Sequence, residues 1–183
     1  MPACPAPAEL EDDNHRWNKI REQLNPSAKK RSSKNRPTFR PIQMRSVEPV
    51  NYIDPSPRKA EQLIWIKAAG ELPEGVDSSL HHAILAYASD FSLMSTALMP
   101  HAISIMNPKL QPASLDHCIW FHDKFKADEW LLYHMDSLRS SRSRGLSRGT
   151  FYTQDGRLVA STIQELSLIH ISEPTRRTPI SYA

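Results

Sequence analysis

The stretch DSSLHHAILAYASDFSLMSTALM, residues 77–99, decides the fold that this sequence predicts. Asp77 or Ser78 can act as the N-cap of a helix, because a short polar side chain there accepts a hydrogen bond from a free backbone N–H. Apolar residues then recur at helical spacing on adjacent faces, at Leu80, Ala83, Ile84, Leu85, Tyr87 and Ala88. A helix that is apolar on most of its sides is typical of a buried helix. We therefore expect it at the centre of the fold.

Segments with strand character lie on both sides of this helix. Before it, residues 63–68 alternate in a way that leaves nearly both faces of a strand apolar. After it come four further segments, at residues 114–122, 130–138, 145–153 and 158–165. The last two flank TQDGR, whose Asp-Gly pair favours a hairpin because both residues tolerate positive φ. The order predicts an α+β fold, with one antiparallel sheet wrapped around one central helix.

The residues before the first strand differ in composition from the rest of the chain. Trp17, Ile20 and Leu24 have the spacing of a short helix, whereas residues 25–41 are polar, basic and closed by prolines, which predicts disorder. A connector is expected at residues 42–59. Residues 28–45 carry seven basic side chains and no acidic one, and residues 58–166 carry eleven basic and twelve acidic ones. The net charge of +3 therefore comes from the leader and not from the predicted domain.

This basic run also supports a competing hypothesis, because clustered Lys and Arg can bind nucleic acid or act as a nuclear-import signal. Only Phe39 could supply the aromatic stacking that a surface for single strands uses. The two cysteines, Cys4 and Cys118, predict no disulfide framework and a reducing compartment. No apolar run approaches the roughly 20 residues that span a bilayer. A soluble intracellular protein without nucleic-acid binding is the simpler expectation.

Residues 114–125, SLDHCIWFHDKF, have the densest reactive chemistry in the chain. In one continuous strand His117 and His122 would point to opposite faces, about 16 Å apart, so they could not share a zinc ion. Cys118 would lie about 13 Å from His122, too far for that histidine to act as its base. We expect no metal, a packed and unreactive Cys118, a hydrogen-bonded His117, and an Asp116 that orders a neighbouring loop.

Three blocks of the chain resemble the signature blocks of the acyl-CoA thioesterase II family, in family order and spacing. They are LHHAILAYASDFSLMSTALMPH, SLDHCIWFHDKFKADEWLLY and SRGLSRGTFYTQDGRLVASTIQE. Members of that family are double hotdog proteins, from bacteria and from eukaryotic peroxisomes, and the resemblance covers only the second hotdog. It implies a leader and linker at residues 1–57, a hotdog domain at 58–166, and a tail at 167–183 without a family counterpart.

The resemblance also implies the site. An aspartate that ends the helix, a serine or threonine that opens the DH-x-x-WFH strand, and a glutamine of the last strand hold the attacking water in this family. Asp90, Ser114 and Gln164 occupy these positions here. A carboxylate that takes a proton from water contributes typically about 10² to 10⁴ in rate, which suits Asp90 as the general base. Ser114 and Gln164 would orient the water. The mechanism needs no cofactor.

The function that the resemblance implies is hydrolysis of fatty acyl-CoA to free fatty acid and coenzyme A. The partner would be a second copy of the chain or a separate first-hotdog chain, because a lone second hotdog exposes an apolar sheet face or edge. A truncated, inactive or regulatory fragment that only dimerises is the alternative. The resemblance implies a peroxisomal location, although the chain ends in Ser-Tyr-Ala and not in a Ser-Lys-Leu-type signal; the other expectation is the cytoplasm.

Overall fold

A seven-stranded antiparallel sheet organises the computed structural model, which describes residues 1–24 and 41–170. The strands are β1 (Ile42–Ser46), β2 (Glu61–Ala68), β3 (Leu110–Ser114), β4 (Cys118–Phe121), β5 (Leu131–Ser141), β6 (Arg144–Thr153) and β7 (Leu158–His170). Their order across the sheet is β1-β2-β5-β6-β7-β3, and β4 also pairs with β7. The long hairpins β5-β6 and β6-β7 form its centre. The predicted antiparallel α+β architecture is confirmed.

Three helices accompany the sheet: α1 (Asp13–Leu24), α2 (Ser78–Ser89) and α3 (Leu93–Leu98). The Asp77 carboxylate accepts a hydrogen bond from the Ser79 N–H at 2.7 Å, so the predicted N-cap of α2 is confirmed. Ser92, with φ of 69°, separates α2 from α3. The stretch that predicts one helix therefore forms two. No helix in residues 1–24 or 41–170 is long and apolar enough to cross a membrane.

The main core lies between the helices and one face of the sheet. Its buried members come from β1, β2, α2, α3 and β5 to β7, and include Ile64, Leu85, Leu93, Tyr133 and Phe151. The rings of Tyr133 and Phe151 stack with centroids 4.0 Å apart at the centre of this core. Position 149, which pairs with Met135, must be glycine, because a Cβ atom there would overlap the Tyr133 ring. The core thus forms around one aromatic pair.

The prediction that α2 is buried on most of its sides is wrong. Only Leu85, Ala88 and Ser89 of this helix are buried, whereas Tyr87 is 56% exposed and Leu80 is 39% exposed. The helix lies on the sheet with one face, and the described residues leave its other apolar face uncovered. The fully buried helix is the shorter α3, with five of its six residues buried.

The outer face of β2 is covered by the N-terminal segment. Trp65 points away from Ile64 and Ile66, yet it is only 3% exposed, and its Nε1–H donates to the Pro5 carbonyl at 2.9 Å. Arg45 donates to the Pro7 carbonyl and stacks over the Trp130 ring at 5.0 Å. These contacts explain why β2 is apolar on both faces, as predicted. The predicted helix around Trp17 is also confirmed, as α1.

Two expectations for the ends of the sheet are wrong. The connector expected at residues 42–59 begins with β1, because Ile42 is buried in the core and the strand pairs with β2 from Ile42↔Ala68 to Ser46↔Ile64. The last strand does not end at residue 165 but continues to His170, because Leu166 and Leu168 alternate into a second apolar cluster. The disorder predicted for residues 25–41 lies, apart from Pro41, outside the described residues, as do residues 171–183.

The strand predicted at residues 114–122 is interrupted. β3 pairs with the end of β7 and β4 pairs with its middle, and residues 115–117 between them leave the ladder. The Asp116 carboxylate accepts a hydrogen bond from the Glu165 N–H at 2.7 Å, which replaces the missing backbone acceptor. Asp116 therefore orders this break in the strand, a structural role as expected.

The hairpin between β5 and β6 has a turn that no sequence signal predicts. Arg142 and Ser143 have φ of 53° and 57°, so both residues adopt the left-handed conformation that a type I′ turn requires. That conformation costs an ordinary residue roughly 1–2 kcal/mol. We expect Arg142→Asn combined with Ser143→Gly to raise the free energy of urea unfolding by about 1 kcal/mol. The matched control, alanine at both positions, should bring no gain, and an equal gain would contradict the strained turn.

Candidate active site

Three side chains from distant parts of the chain meet at the C-terminal end of α2. The Gln164 Nε2 group donates to Asp90 Oδ1 at 2.6 Å and to Ser114 Oγ at 3.0 Å. Gln164 is 1% exposed, whereas Asp90 and Ser114 are exposed. The structure thus brings together all three residues that the family resemblance selects, with one buried member and two that face solvent.

The surrounding elements explain why each side chain points to this place. Asp90 is the C-cap of α2, so it lies at the carbonyl end of that helix. Gln164 lies in the middle of β7, opposite Ser147 of β6. Ser114 is the last residue of β3, opposite Leu166 and next to the break in the strand. A helix end, a central strand and an interrupted edge strand therefore converge on one point.

Proton counting fixes the orientation of the Gln164 amide. An ionised carboxylate only accepts hydrogen bonds, so the NH₂ group of Gln164 must face Asp90. An amide has two hydrogens, and both are used, one for Asp90 and one for Ser114. The Ser114 hydroxyl accepts from Gln164 and keeps its own proton for another acceptor. Asp90 forms no ion pair with a Lys or Arg within residues 1–24 and 41–170. The site therefore presents one acceptor, Asp90, and one donor, Ser114, to the solvent.

Two further residues support Asp90 and were missed in the sequence. Ser89 is fully buried directly before Asp90, and its carbonyl accepts a hydrogen bond from the Tyr133 hydroxyl at 2.6 Å. Tyr133 itself is fully buried. Both residues stand in the family-like blocks, in AYASD and EWLLY, so their position was visible there. Their contact was not, because it joins residues 44 positions apart.

The reactive residues of the stretch 114–125 are dispersed. His117 contacts Ser89 and Thr162, while His122 contacts Ser161, and adjacent residues of β7 point to opposite faces. The hydrogen-bonded role predicted for His117 is confirmed. Cys118 is exposed, so the prediction of a packed thiol is wrong, because β4 is a short edge strand with nothing described over its outer face. Within the described residues, no three His, Cys, Asp or Glu side chains lie close enough together to hold a metal ion.

Of the basic segment at residues 28–45, only residues 41–45 lie within the described part of the chain. Residues 29–40, which carry six of the seven basic side chains, lie outside the described residues. Arg45, the seventh, is engaged with Pro7 and Trp130.

Burial and the neighbouring Asp90 carboxylate raise the pKa of Tyr133 well above its ordinary value. In the unfolded state a tyrosine releases this proton at about pH 10. Below about pH 10 the Tyr133 hydroxyl therefore does not make the free energy of unfolding depend on pH. Above it, the free energy of unfolding falls by up to about 1.4 kcal/mol per pH unit, because only the unfolded state releases the proton. Burial also raises the pKa of Tyr52, which adds a loss of the same sign. We expect the slope of unfolding free energy against pH above 10 to be shallower in Tyr133→Phe than in wild type.

Urea unfolding at pH values between 8 and 11 measures that slope, and each variant is compared with itself across the series. The exposed Tyr87 supplies the matched control, because Tyr87→Phe makes the same chemical change away from the core. Tyr87→Phe should keep the slope of wild type. Equal slopes for Tyr133→Phe and wild type would show that Tyr133 ionises alike in the folded and unfolded chain.

A mainly apolar cavity of about 420 Å³ lies between α1, β1 and the end of α2, and Asp90, Ser114 and Gln164 are not among its lining residues. Its lining includes Trp17, Ile20, Met44, Tyr87 and Phe91. Phe91 directly follows Asp90, so the chain turns there from the polar site to the cavity. At one end Asp13 bonds the Ser46 hydroxyl at 2.6 Å, and burial raises the pKa of the Asp13 carboxyl. The cavity is therefore lined mainly by apolar side chains, with polar residues such as Asp13, Arg16 and Ser46 among them.

A seven-stranded antiparallel sheet with a helix packed against one face is the architecture of a hotdog protein. The fold resembles that of a protein of unknown function with a hot dog fold from Alicyclobacillus acidocaldarius, with a TM-score of 0.59 over 92% of this chain and 54% of that one, at 15% identity. A likeness at this identity shows the fold alone. The class thus rests on architecture.

The family follows from closer matches. The model of the acyl-CoA thioesterase family matches residues 47–166, and the chain belongs to this family. It is 34% identical to acyl-CoA thioesterase 2 of Haemophilus influenzae over 94% of this chain and 58% of that protein. It is also 34% identical to acyl-coenzyme A thioesterase 8 of Mus musculus, over 90% of this chain and 51% of that protein.

A solved structure agrees with these relatives. The acyl-CoA thioesterase II from Mycobacterium marinum is 34% identical, with a TM-score of 0.67 over 94% of this chain and 56% of that one. The chain thus spans about half the length of the relatives that it matches.

Proposed function

We propose that this chain hydrolyses fatty acyl-CoA to free fatty acid and coenzyme A, with a water held by Asp90 and Ser114, which Gln164 positions. The observation that carries the proposal is the Gln164 amide, which bridges Asp90 and Ser114 at 2.6 and 3.0 Å. Two solvent-facing groups, an acceptor and a donor, are thereby held at one point. A water placed there can give a proton to Asp90 while Ser114 fixes its direction.

The chemistry balances with these groups. The water oxygen attacks the thioester carbonyl carbon while Asp90 accepts the water proton. The tetrahedral intermediate then expels the coenzyme A thiolate, which takes back the proton that Asp90 accepted and leaves as the thiol, so the Asp90 carboxylate is restored. Gln164 spends both amide hydrogens on its neighbours, so its role here is to position Asp90 and Ser114 rather than to touch the water.

The substrate class is supported by the cavity and by the relatives. Two relatives carry acyl-CoA thioesterase in their names, and the cavity of about 420 Å³ is lined mainly by apolar side chains. A fatty acyl chain suits such a lining, because its transfer from water is favourable at roughly 0.8 kcal/mol per CH₂. We propose that the acyl chain lies along Trp17, Met44 and Phe91, and that the thioester reaches Asp90 from there.

A second candidate function is a fragment that pairs without turning over. It is favoured by the β4 edge, where Trp120 is 52% exposed and nearby Leu115 is 48% exposed. Exposed apolar residues on a strand with one edge unpaired among the described residues promote association. The partner would be a second copy of this chain or a separate first-hotdog chain. Pairing itself is compatible with hydrolysis, so activity separates the two candidates.

The test is thiol release from medium- and long-chain acyl-CoA by the purified chain, with its mass in solution measured by light scattering. Turnover by the folded chain supports the enzyme, and its dependence on protein concentration reports whether pairing is required. A well-folded dimer with no thiol release for any chain length would favour the fragment. Turnover that survives loss of the Asp90 carboxylate would remove Asp90 from the mechanism.

The compartment is also a proposal. A yeast relative, 31% identical over 53% of this chain, is named a peroxisomal acyl-coenzyme A thioester hydrolase. We propose a peroxisomal location on the basis of that relative, and the cytoplasm is the alternative. Co-localisation of a fluorescent fusion with a peroxisomal marker decides between them.

A further inference from the structure

The residue before Asp90 is held from two sides. The Ser89 carbonyl accepts a hydrogen bond from the Tyr133 hydroxyl at 2.6 Å, and the Ser89 hydroxyl lies 2.7 Å from His117 Nε2. The same hydroxyl donates to the Ala86 carbonyl at 2.8 Å. Ser89 is fully buried, so water does not compete for these groups. Asp90 therefore follows a residue whose backbone and side chain are both fixed.

Proton counting assigns the role of the His117 ring. The one proton of the Ser89 hydroxyl goes to Ala86, and the one proton of the Thr162 hydroxyl goes to the Cys118 carbonyl at 2.7 Å. Neither hydroxyl has a proton left for His117, so Nε2 of the ring must carry the hydrogen. It donates to Ser89 at 2.7 Å and more weakly to Thr162 at 3.3 Å.

The ring joins the two elements that carry the site. Ser89 precedes Asp90 at the end of α2, and Thr162 precedes Gln164 by two positions on β7, so Thr162 and Gln164 point to the same face. The Asp90–Gln164 contact of 2.6 Å is formed between these elements. We propose that His117 is a positioning residue that, through Ser89 and Thr162, holds the Asp90 carboxylate against Gln164. This inference rests on the proposed thioester hydrolysis.

The alternative is a histidine whose hydrogen bond only stabilises the fold, and His122 is an example of such a histidine. His122 Nε2 bonds the Ser161 hydroxyl at 2.8 Å, on the other face of the same strands and away from Asp90. It is exposed. The two histidines make hydrogen bonds of the same kind to adjacent residues of β7, but only His117 reaches the helix end that carries Asp90. His122 is therefore the matched control.

The test compares kcat and KM of the full chain for acyl-CoA hydrolysis in wild type, His117→Phe, His117→Gln and His122→Phe. Phenylalanine keeps the ring and removes the donor, and glutamine restores an N–H close to the position of Nε2. We expect kcat to fall about tenfold in His117→Phe, as for a lost hydrogen bond, with KM unchanged because His117 does not line the cavity proposed for the acyl chain. His117→Gln should recover to within about threefold, and His122→Phe should match wild type.

Folding is separated from positioning by a second variant and a second readout. Ser89→Ala removes the acceptor of His117 without placing a larger group in the core, and it should lower kcat as His117→Phe does. The double variant should lose no more than either single one, because both remove the same link. In each case kcat is corrected for the folded fraction measured by urea unfolding.

The side-chain amide resonances of Gln164 report the Asp90 contact without any turnover. They should move in His117→Phe, return towards wild type in His117→Gln, and stay in His122→Phe. If wild type releases no thiol but these shifts appear, hydrolysis fails and the positioning role stands. If wild type is active while His117→Phe keeps full kcat and unmoved Gln164 resonances, the positioning role is overturned and hydrolysis stands.

Discussion

Replacing Asp90 by asparagine should lower acyl-CoA hydrolysis about 10² to 10⁴-fold, the range for loss of a general base. Asparagine keeps the size of the side chain and can still accept from the Gln164 amide, which donates to Asp90 Oδ1 at 2.6 Å. It cannot take a proton from water near neutral pH. The loss should appear in kcat rather than KM, because the carboxylate acts on the water and not on the acyl chain.

The control for this variant is Asp116→Asn, which removes the same charge close to Ser114. Asp116 accepts from the Glu165 N–H at 2.7 Å, a contact that the asparagine oxygen can also make. We expect Asp116→Asn to keep its rate within about threefold of wild type, since a single exposed charge change alters a rate little. Equal losses in both variants would indicate a general electrostatic effect and would remove Asp90 as the base.

Local signals in the sequence predicted those parts of the fold whose cause is local. Asp77 caps α2 because its side chain bonds a backbone N–H two residues away. The Asp-Gly pair marks the β6–β7 hairpin, although only Gly156, with φ of 92°, has positive φ there. The Arg142-Ser143 turn has no such signal. There the long β5–β6 ladder imposes the left-handed conformation on two ordinary residues, which no local preference reveals.

Burial was less predictable than secondary structure. The apolar pattern of α2 shows that the helix needs covering on several sides, but it does not show where the cover comes from. Tyr87 is 56% exposed because the described residues supply cover on one side only. The same limit applies to Trp65, whose cover is the N-terminal segment around Pro5. Whether a side chain is buried by residues that are distant in the sequence depends on packing, which a helical or strand period does not encode.

The candidate site was reached through resemblance and not through residue chemistry. Nothing in the residues next to Ser114 and Gln164 in the sequence marks them as functional. Cys118 and His122, which look more reactive, lie away from the site. The convergence of Asp90, Ser114 and Gln164 requires the break between β3 and β4, which the alternation of residues 114–122 does not predict. Within that break the Asp116 carboxylate accepts a hydrogen bond from the Glu165 N–H. A contact between residues 49 positions apart is not visible in a local pattern of alternation.

Phe151→Ala should be the most destabilising substitution of a single side chain in the core, with a loss of about 3–5 kcal/mol in the free energy of unfolding. Phe151 is fully buried, and its ring stacks on Tyr133 with centroids 4.0 Å apart. Alanine leaves a cavity beside Tyr133, and Gly149 on the same strand offers no side chain to fill it. Since domains are stable by roughly 5–15 kcal/mol, this loss is a large share of the total.

Urea unfolding followed by tryptophan fluorescence measures this loss, and Phe121→Ala is its matched control. Phe121 is also on a strand and stacks on His82, but it is 38% exposed, so its removal should cost less than about 1.5 kcal/mol. Phe151→Leu should lie between the two, since leucine refills much of the volume but loses the aromatic stack, worth about 0.5–1.5 kcal/mol. Similar losses for Phe151→Ala and Phe121→Ala would contradict the central position of the Tyr133–Phe151 pair. Because Tyr133 also holds the carbonyl of Ser89, a loosened Phe151 pocket should lower kcat even in the folded fraction.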